Sequence, residues 1–178
     1  MGNVKRWPVL AGVGVVVAAA GWWIVDEMPT VDDAVAREAL PPIDEHLREW
    51  LRATAHSGAD VRWVCTQKVI ETRADHEQVK IGLVASCDEV ERDGDGLVTL
   101  GGFRRQPMVY RVERTPGGFR VLDRKVAEDG AGYSPSVKAL FSWTGARRVL
   151  DGASPDDPRS VSAAAFGLPE STPVRTGR

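Results

Sequence analysis

Cys65 and Cys87 are the only two cysteines in 178 residues, and their chemistry depends on where the chain resides. In a reducing compartment two isolated thiols would be buried and inert, whereas in an oxidising one an even count reads as a disulfide. Zinc is disfavoured. There is no Cys-x-x-Cys or His-x-x-x-His spacing to complete a ligand set, and His46, His56 and His76 are the only imidazoles.

The other candidates for chemistry are weaker. Asp75-His76-Glu77 places an imidazole between two carboxylates, but adjacent residues on a tight loop point apart, and a solvated hairpin tip accounts for them. Asp88, Glu89, Glu91, Asp93 and Asp95 form an acidic run ending in Asp-Gly-Asp-Gly. Calcium favours carboxylates clustered on such a loop, yet the regular spacing and the distal bidentate Glu are missing, so the run reads as a polar turn. Gly94-x-Gly96 and Gly101-Gly102 do not join a strand to a helix and are no phosphate cradle. Arg104-Arg105 and Arg147-Arg148 read as solvated pairs, with Arg104-Arg105 able to touch an anionic lipid or polymer. No Gly-x-Ser-x-Gly elbow occurs. Trp50 and Trp63 are expected in the core, a ligand platform being the alternative. No catalytic, cofactor-binding or metal-binding set is therefore expected.

The elements that would position these residues follow from the periodicity. Thr30 is placed to cap a short helix with Asp32 and Asp33 in its first turn. Pro41-Pro42 is expected to end it, because Pro41 disfavours helical geometry at Leu40 and lacks an N–H. A second helix then carries Ile43, Leu47, Trp50, Leu51 and Thr54 on one apolar stripe and stops at Ser57-Gly58.

From Ala59 the period becomes two, predicting strands at Val61–Ile70, Val79–Cys87, Leu97–Leu100, Met108–Arg114 and Phe119–Val126. Gly101-Gly102 separates the third from the fourth, and Thr115-Pro116-Gly117-Gly118 supplies a turn. Short helices are expected from Ser134 and over Thr144–Leu150. After Gly152 periodicity fades, so residues 152–178 are expected to be a flexible tail. Facing residues of a hairpin share one sum; for Cys65 and Cys87 it centres the turn on His76, where the polar tip falls. That register sets Val69 opposite Leu83 and Gln67 opposite Ala85. Trp63, Cys65, Val69, Ile81, Leu83, Ala85 and Cys87 then share a face, which the helix of Ile43–Thr54 is expected to cover.

Location is read from Pro8–Val25, an uncharged stretch flanked by Lys5-Arg6 and Asp26-Glu27. At ~1.5 Å per residue it would span about 27 Å, close to the hydrocarbon thickness of a bilayer. Trp7 at one end and Trp22-Trp23 at the other suit the membrane interfaces. The expected organisation is a cytoplasmic segment 1–7, a transmembrane signal anchor 8–25, an extracytoplasmic domain 28–151 and the tail. A cleaved signal peptide exiting at Ala18-Ala19-Ala20 is the competing reading, but the apolar run continues through Gly21-Trp22-Trp23-Ile24-Val25. The part beyond the flanks has 21 basic and 23 acidic residues, interspersed. No nucleic-acid partner is expected, for want of a basic patch.

A helix followed by an antiparallel meander gives an α+β domain, one amphipathic helix across a curved sheet. This arrangement resembles the cystatin-like group, which includes the nuclear transport factor two-like domains. Combined with the anchor and with Trp63-Val64-Cys65-Thr66-Gln67-Lys68 and Gly82-Leu83-Val84-Ala85-Ser86-Cys87-Asp88-Glu89, it is similar to single-pass proteins of high-GC actinobacteria over about Met28 to Leu150. The resemblance implies no catalytic residue. Two functions follow as expectations: an anchored envelope module that binds or scaffolds another protein, or a ligand-binding or enzymatic cone with a pocket between helix and sheet. What lines the concave face separates them, since fold alone does not.

Overall fold

The computed structural model describes residues 31–53, 60–75 and 77–177. The expected cytoplasmic segment and anchor, with Trp7, Trp22 and Trp23, lie outside the described residues, as do Thr30, Thr54, Ser57-Gly58 and His76. Among the described residues no helix is long and apolar enough to cross a membrane.

One helix, α1 (Asp33–Arg52), replaces the two expected. Its N-cap is Asp32, whose carboxylate accepts from the Ala34 and Val35 amides at 3.0 and 3.1 Å. Pro41 and Pro42 lie inside the helix without ending it. Each removes an amide donor from the helical ladder, at a cost of roughly 3 kcal/mol for an interior proline. Ala36, Ala39, Ile43, Leu47 and Leu51 are all buried on one stripe that runs past the prolines. Each large member buried contributes about 1.5–3 kcal/mol, so packing outweighs the break. This stripe leaves Trp50 to one side, 40% exposed, so the expectation of a core tryptophan there is corrected.

The sheet is an antiparallel meander in the order β1 (Val61–Asp75), β2 (Gln78–Asp93), β3 (Gly96–Thr115), β4 (Gly118–Val126). Cys65 faces Cys87, Gln67 faces Ala85 and Val69 faces Leu83, the register the cysteines imply. A bulge between Val69 and Glu71 then shifts the pairing by one residue. Gly101-Gly102 is no break: the third and fourth expected strands are one strand, β3, irregular where it passes Cys87. Gly102 has φ +154°, and a Cβ there would lie 2.3 Å from the Cys87 carbonyl oxygen, so the close approach requires glycine.

Every residue of β2 from Ile81 to Val90 is buried, because both faces of the sheet are covered. On one face, α1 packs Ala39, Ile43, Leu47 and Leu51 against Ile81, Leu83, Ala85, Cys87, Met108, Tyr110 and Val112, with Trp63, Cys65 and Val69 at the margin. On the other, α2 (Tyr133–Leu140) and α3 (Trp143–Leu150) place Val137, Phe141, Ala146 and Val149 over Ile70, Val84 and Val109. The result is an α+β fold of three layers.

Residues 152–177 correct the expectation of a flexible tail. They form α4 (Arg159–Ala165) and β5 (Val174–Thr176), the latter parallel to Leu97–Thr99 of β3. Phe166, Leu168 and Val174 cover Val64, Val90 and Leu97. The polar composition hid these three anchors.

Candidate interaction surfaces

The disulfide joins Cys65 to Cys87 with Cα atoms 4.1 Å apart, the short spacing of facing antiparallel residues. Cys87 is fully buried beneath α1 and Cys65 half-buried at its margin, and the bond between them holds the β1–β2 register.

The space between α1 and the sheet is filled. Ile43, Leu47, Ile81, Leu83, Met108 and Tyr110 have no solvent exposure. At its edge the His46 ring meets Tyr110 edge-on at 5.9 Å, and the Arg124 guanidinium lies 3.9 Å from the Trp50 ring centroid. Burial pushes the Tyr110 phenol above its ordinary value of 10.0, with Arg124 opposing the shift.

Ionisable groups gather on the opposite face. Glu71 is fully buried. Its carboxylate accepts the Ser142 amide at 3.1 Å and the Ser142 hydroxyl at 2.5 Å, while Ser142 Oγ accepts the Gly145 amide at 3.0 Å. Arg73 Nε lies 3.0 Å from Glu71 as a charge pair, not aligned as a hydrogen bond, and Arg73 Nη2 donates to the Leu140 carbonyl. A Cβ on Gly145 would come 2.0 Å from Glu71 Oε2, so only glycine admits the carboxylate. Arg148 donates to the carbonyl of Ile70 at the bulge. Strand β1 thus fixes the α2–α3 corner through one carboxylate, and the bulge aims it there.

Asp88 and Glu89 are likewise buried, correcting their assignment to a polar turn. Arg104 holds Asp88 through two parallel hydrogen bonds, the second at 2.9 Å. Arg104 also comes within 3.9 Å of Asp157, which pairs with Arg159 at 2.6 Å. The Arg159 guanidinium, hydrogen-bonded to Asp157, holds that carboxyl below its ordinary value of 3.8. The Thr66 hydroxyl donates to the Asp156 carbonyl. These contacts fasten the C-terminal segment, so Arg104 works as a structural cation. Among the described residues no group of three or more His, Cys, Asp or Glu is arranged to hold a metal ion.

Two surface features remain. Glu38, Pro41, Pro42, Glu45, Pro116 and Phe119 line a groove of about 670 Å³ between α1 and the β3–β4 turn. The prolines stay on the outer side of α1, and Glu38 reaches across to Arg114 at 3.2 Å. On the far side of the sheet Trp143 is 76% exposed, above a depression of about 420 Å³ with Lys138, Arg147 and Leu150. No signal in the sequence distinguished Trp143 from a core aromatic. Compared with protein-family models, curated proteins and solved structures, the chain matches none.

Proposed function

We propose that this chain is a membrane-anchored, extracytoplasmic interaction module of the cell envelope, with no catalysis of its own and a domain of the cystatin-like kind. In this reading residues 8–25 hold it in the bilayer, Lys5 and Arg6 keep the short N-terminus in the cytoplasm, and the folded domain stands outside. The disulfide fits that placement, since such bonds persist in oxidising compartments. A helix laid across a four-stranded meander is the arrangement on which the cystatin-like reading rests.

The observation that carries the reading is the filled interface between α1 and the sheet beside an open groove at its rim. A ligand cone would need room where Leu47, Leu83, Met108 and Tyr110 sit packed without solvent exposure. The groove instead offers Glu45, proline edges and a Glu38 carboxylate shared with Arg114 in an exposed pair to a segment of an envelope protein that carries cationic and apolar residues.

A photoreactive side chain in place of Glu45, in the full-length protein in intact cells, should give one dominant protein adduct. Adding Glu38→Lys should abolish it. A chain released from membranes by carbonate would overturn the anchor. A retained chain with no protein adduct would overturn the partner-binding surface.

A further inference from the structure

The exposed Trp143 sits on an unusually well-fastened base. Its neighbour Ser142 gives both its amide and its hydroxyl to the buried Glu71 carboxylate, and Gly145 closes over that carboxylate. The indole is therefore held outward by a fixed corner. Around it stand Arg147, whose guanidinium lies 5.9 Å from the ring centroid, Lys138, and Leu150, which is 38% exposed. Among the described residues Asp151 is the one acid lining this depression, and its exposed pair with Arg147 spans 3.5 Å. Such a pair is weak and salt-sensitive, so Arg147 can exchange it for another anion at little cost.

The point where the chain enters the fold limits how far this surface can stand from a bilayer. The Asp32 amide donates to Thr72 Oγ1 at 2.9 Å, which pins the start of α1 to β1, an edge strand of the meander. Glu71, the preceding residue of that strand, holds Ser142 from the opposite face. The chain entry and the base of Trp143 are thus attached to successive residues of one edge strand. Between Val25 and Asp32 there are seven peptide steps, which reach at most about 25 Å when fully extended.

We infer that the α2–α3 face, centred on Trp143 with Lys138 and Arg147, rests on the anionic headgroup surface of the bilayer. The inference depends on the anchored reading above. An amphipathic indole flanked by cations and one aliphatic side chain is the chemistry of a membrane interface, where each nearby cation strengthens contact with anionic lipid. A bilayer on this side leaves α1 and its acidic groove, across the sheet, facing outward to proteins.

The test uses the full-length protein reconstituted in vesicles, one third phosphatidylglycerol in phosphatidylcholine, with a photoreactive side chain replacing Trp143. The same side chain in place of Glu49, exposed on α1, provides the background. Position 143 should yield lipid adducts well above that background. The Lys138→Gln/Arg147→Gln variant should lower the yield by about fivefold per cation removed. Pure phosphatidylcholine should lower it comparably. Equal yields at both positions, insensitivity to the two cations, or a protein adduct from position 143 in native membranes would each overturn the inference. A chain that carbonate extracts would overturn the anchor as well, whereas a retained chain without these lipid adducts would overturn this inference alone.

Discussion

At the scale of single residues, Glu71 best shows how a buried charge can be structural. The carboxylate has no solvent exposure but is met by an amide, a hydroxyl and a guanidinium. Removing one partner of such a group costs more than the group contributes, because the others stay behind unpaired. Glu71→Ala should therefore lower the unfolding free energy by about 3 kcal/mol in urea titration. Glu71→Gln keeps an acceptor oxygen for Ser142 and loses only the charge, so its cost should be about half of that. Equal costs for the two variants would show that the carboxylate charge, rather than side-chain volume or the retained acceptor oxygen, makes this site sensitive. Nothing at the sequence level marked Glu71. The strand read from periodicity ends at Ile70, one residue short of it, and only the bulge there turns Glu71 into the α2–α3 corner.

At the scale of elements, what was legible in the chain was local and what escaped was cooperative. The hairpin register followed from two cysteines and one polar tip, and the short helices after Ser134 followed from apolar spacing. The double proline fails to end the helix because burial outweighs propensity: five buried positions of α1 share one stripe across it. The C-terminal segment escapes for a different reason. Its anchors Phe166, Leu168 and Val174 are too sparse to show periodicity, yet they close the core over Val64, Val90 and Leu97, of which the last two have no exposure. Truncation after Gly152 should accordingly destabilise the protein by at least about 3 kcal/mol, the burial of two large aliphatic side chains, and should lower Tm. An unchanged Tm would mean that α4 and β5 are dispensable. Acid should weaken the same docking. The depressed Asp157 carboxyl contributes above its ordinary value of 3.8, and that contribution disappears as pH falls through the lower folded value. Amide-exchange protection over Arg159–Ala165, taken relative to intrinsic rates at each pH, should therefore fall at low pH before protection in β2 does.

At the scale of the whole molecule, everything converges on β2. It is paired along both edges and covered on both faces, by α1 on one side and by α2, α3 and the C-terminal segment on the other. A one-residue slip of this strand would turn Leu83 and Ala85 away from α1 and carry Val84 and Asp88 into that core. The Cys65–Cys87 bond forbids such a slip at a point flanked by two irregularities in the pairing of β2 with β3, one between Ala85 and Cys87 and one between Glu89 and Val90. Closing a loop with a sequence separation of 22 stabilises by about 3 kcal/mol through loss of chain entropy in the unfolded state. Cys65→Ser with Cys87→Ser should thus lower stability by about that amount while leaving the fold intact, because the register is also specified by the buried face. Thiol titration of the denatured, unreduced protein should find no free thiol, and two after reduction. Two thiols before reduction would remove the bond. A double variant that fails to fold at all would instead show that the disulfide, rather than the pattern of apolar residues, selects the register of the central strand.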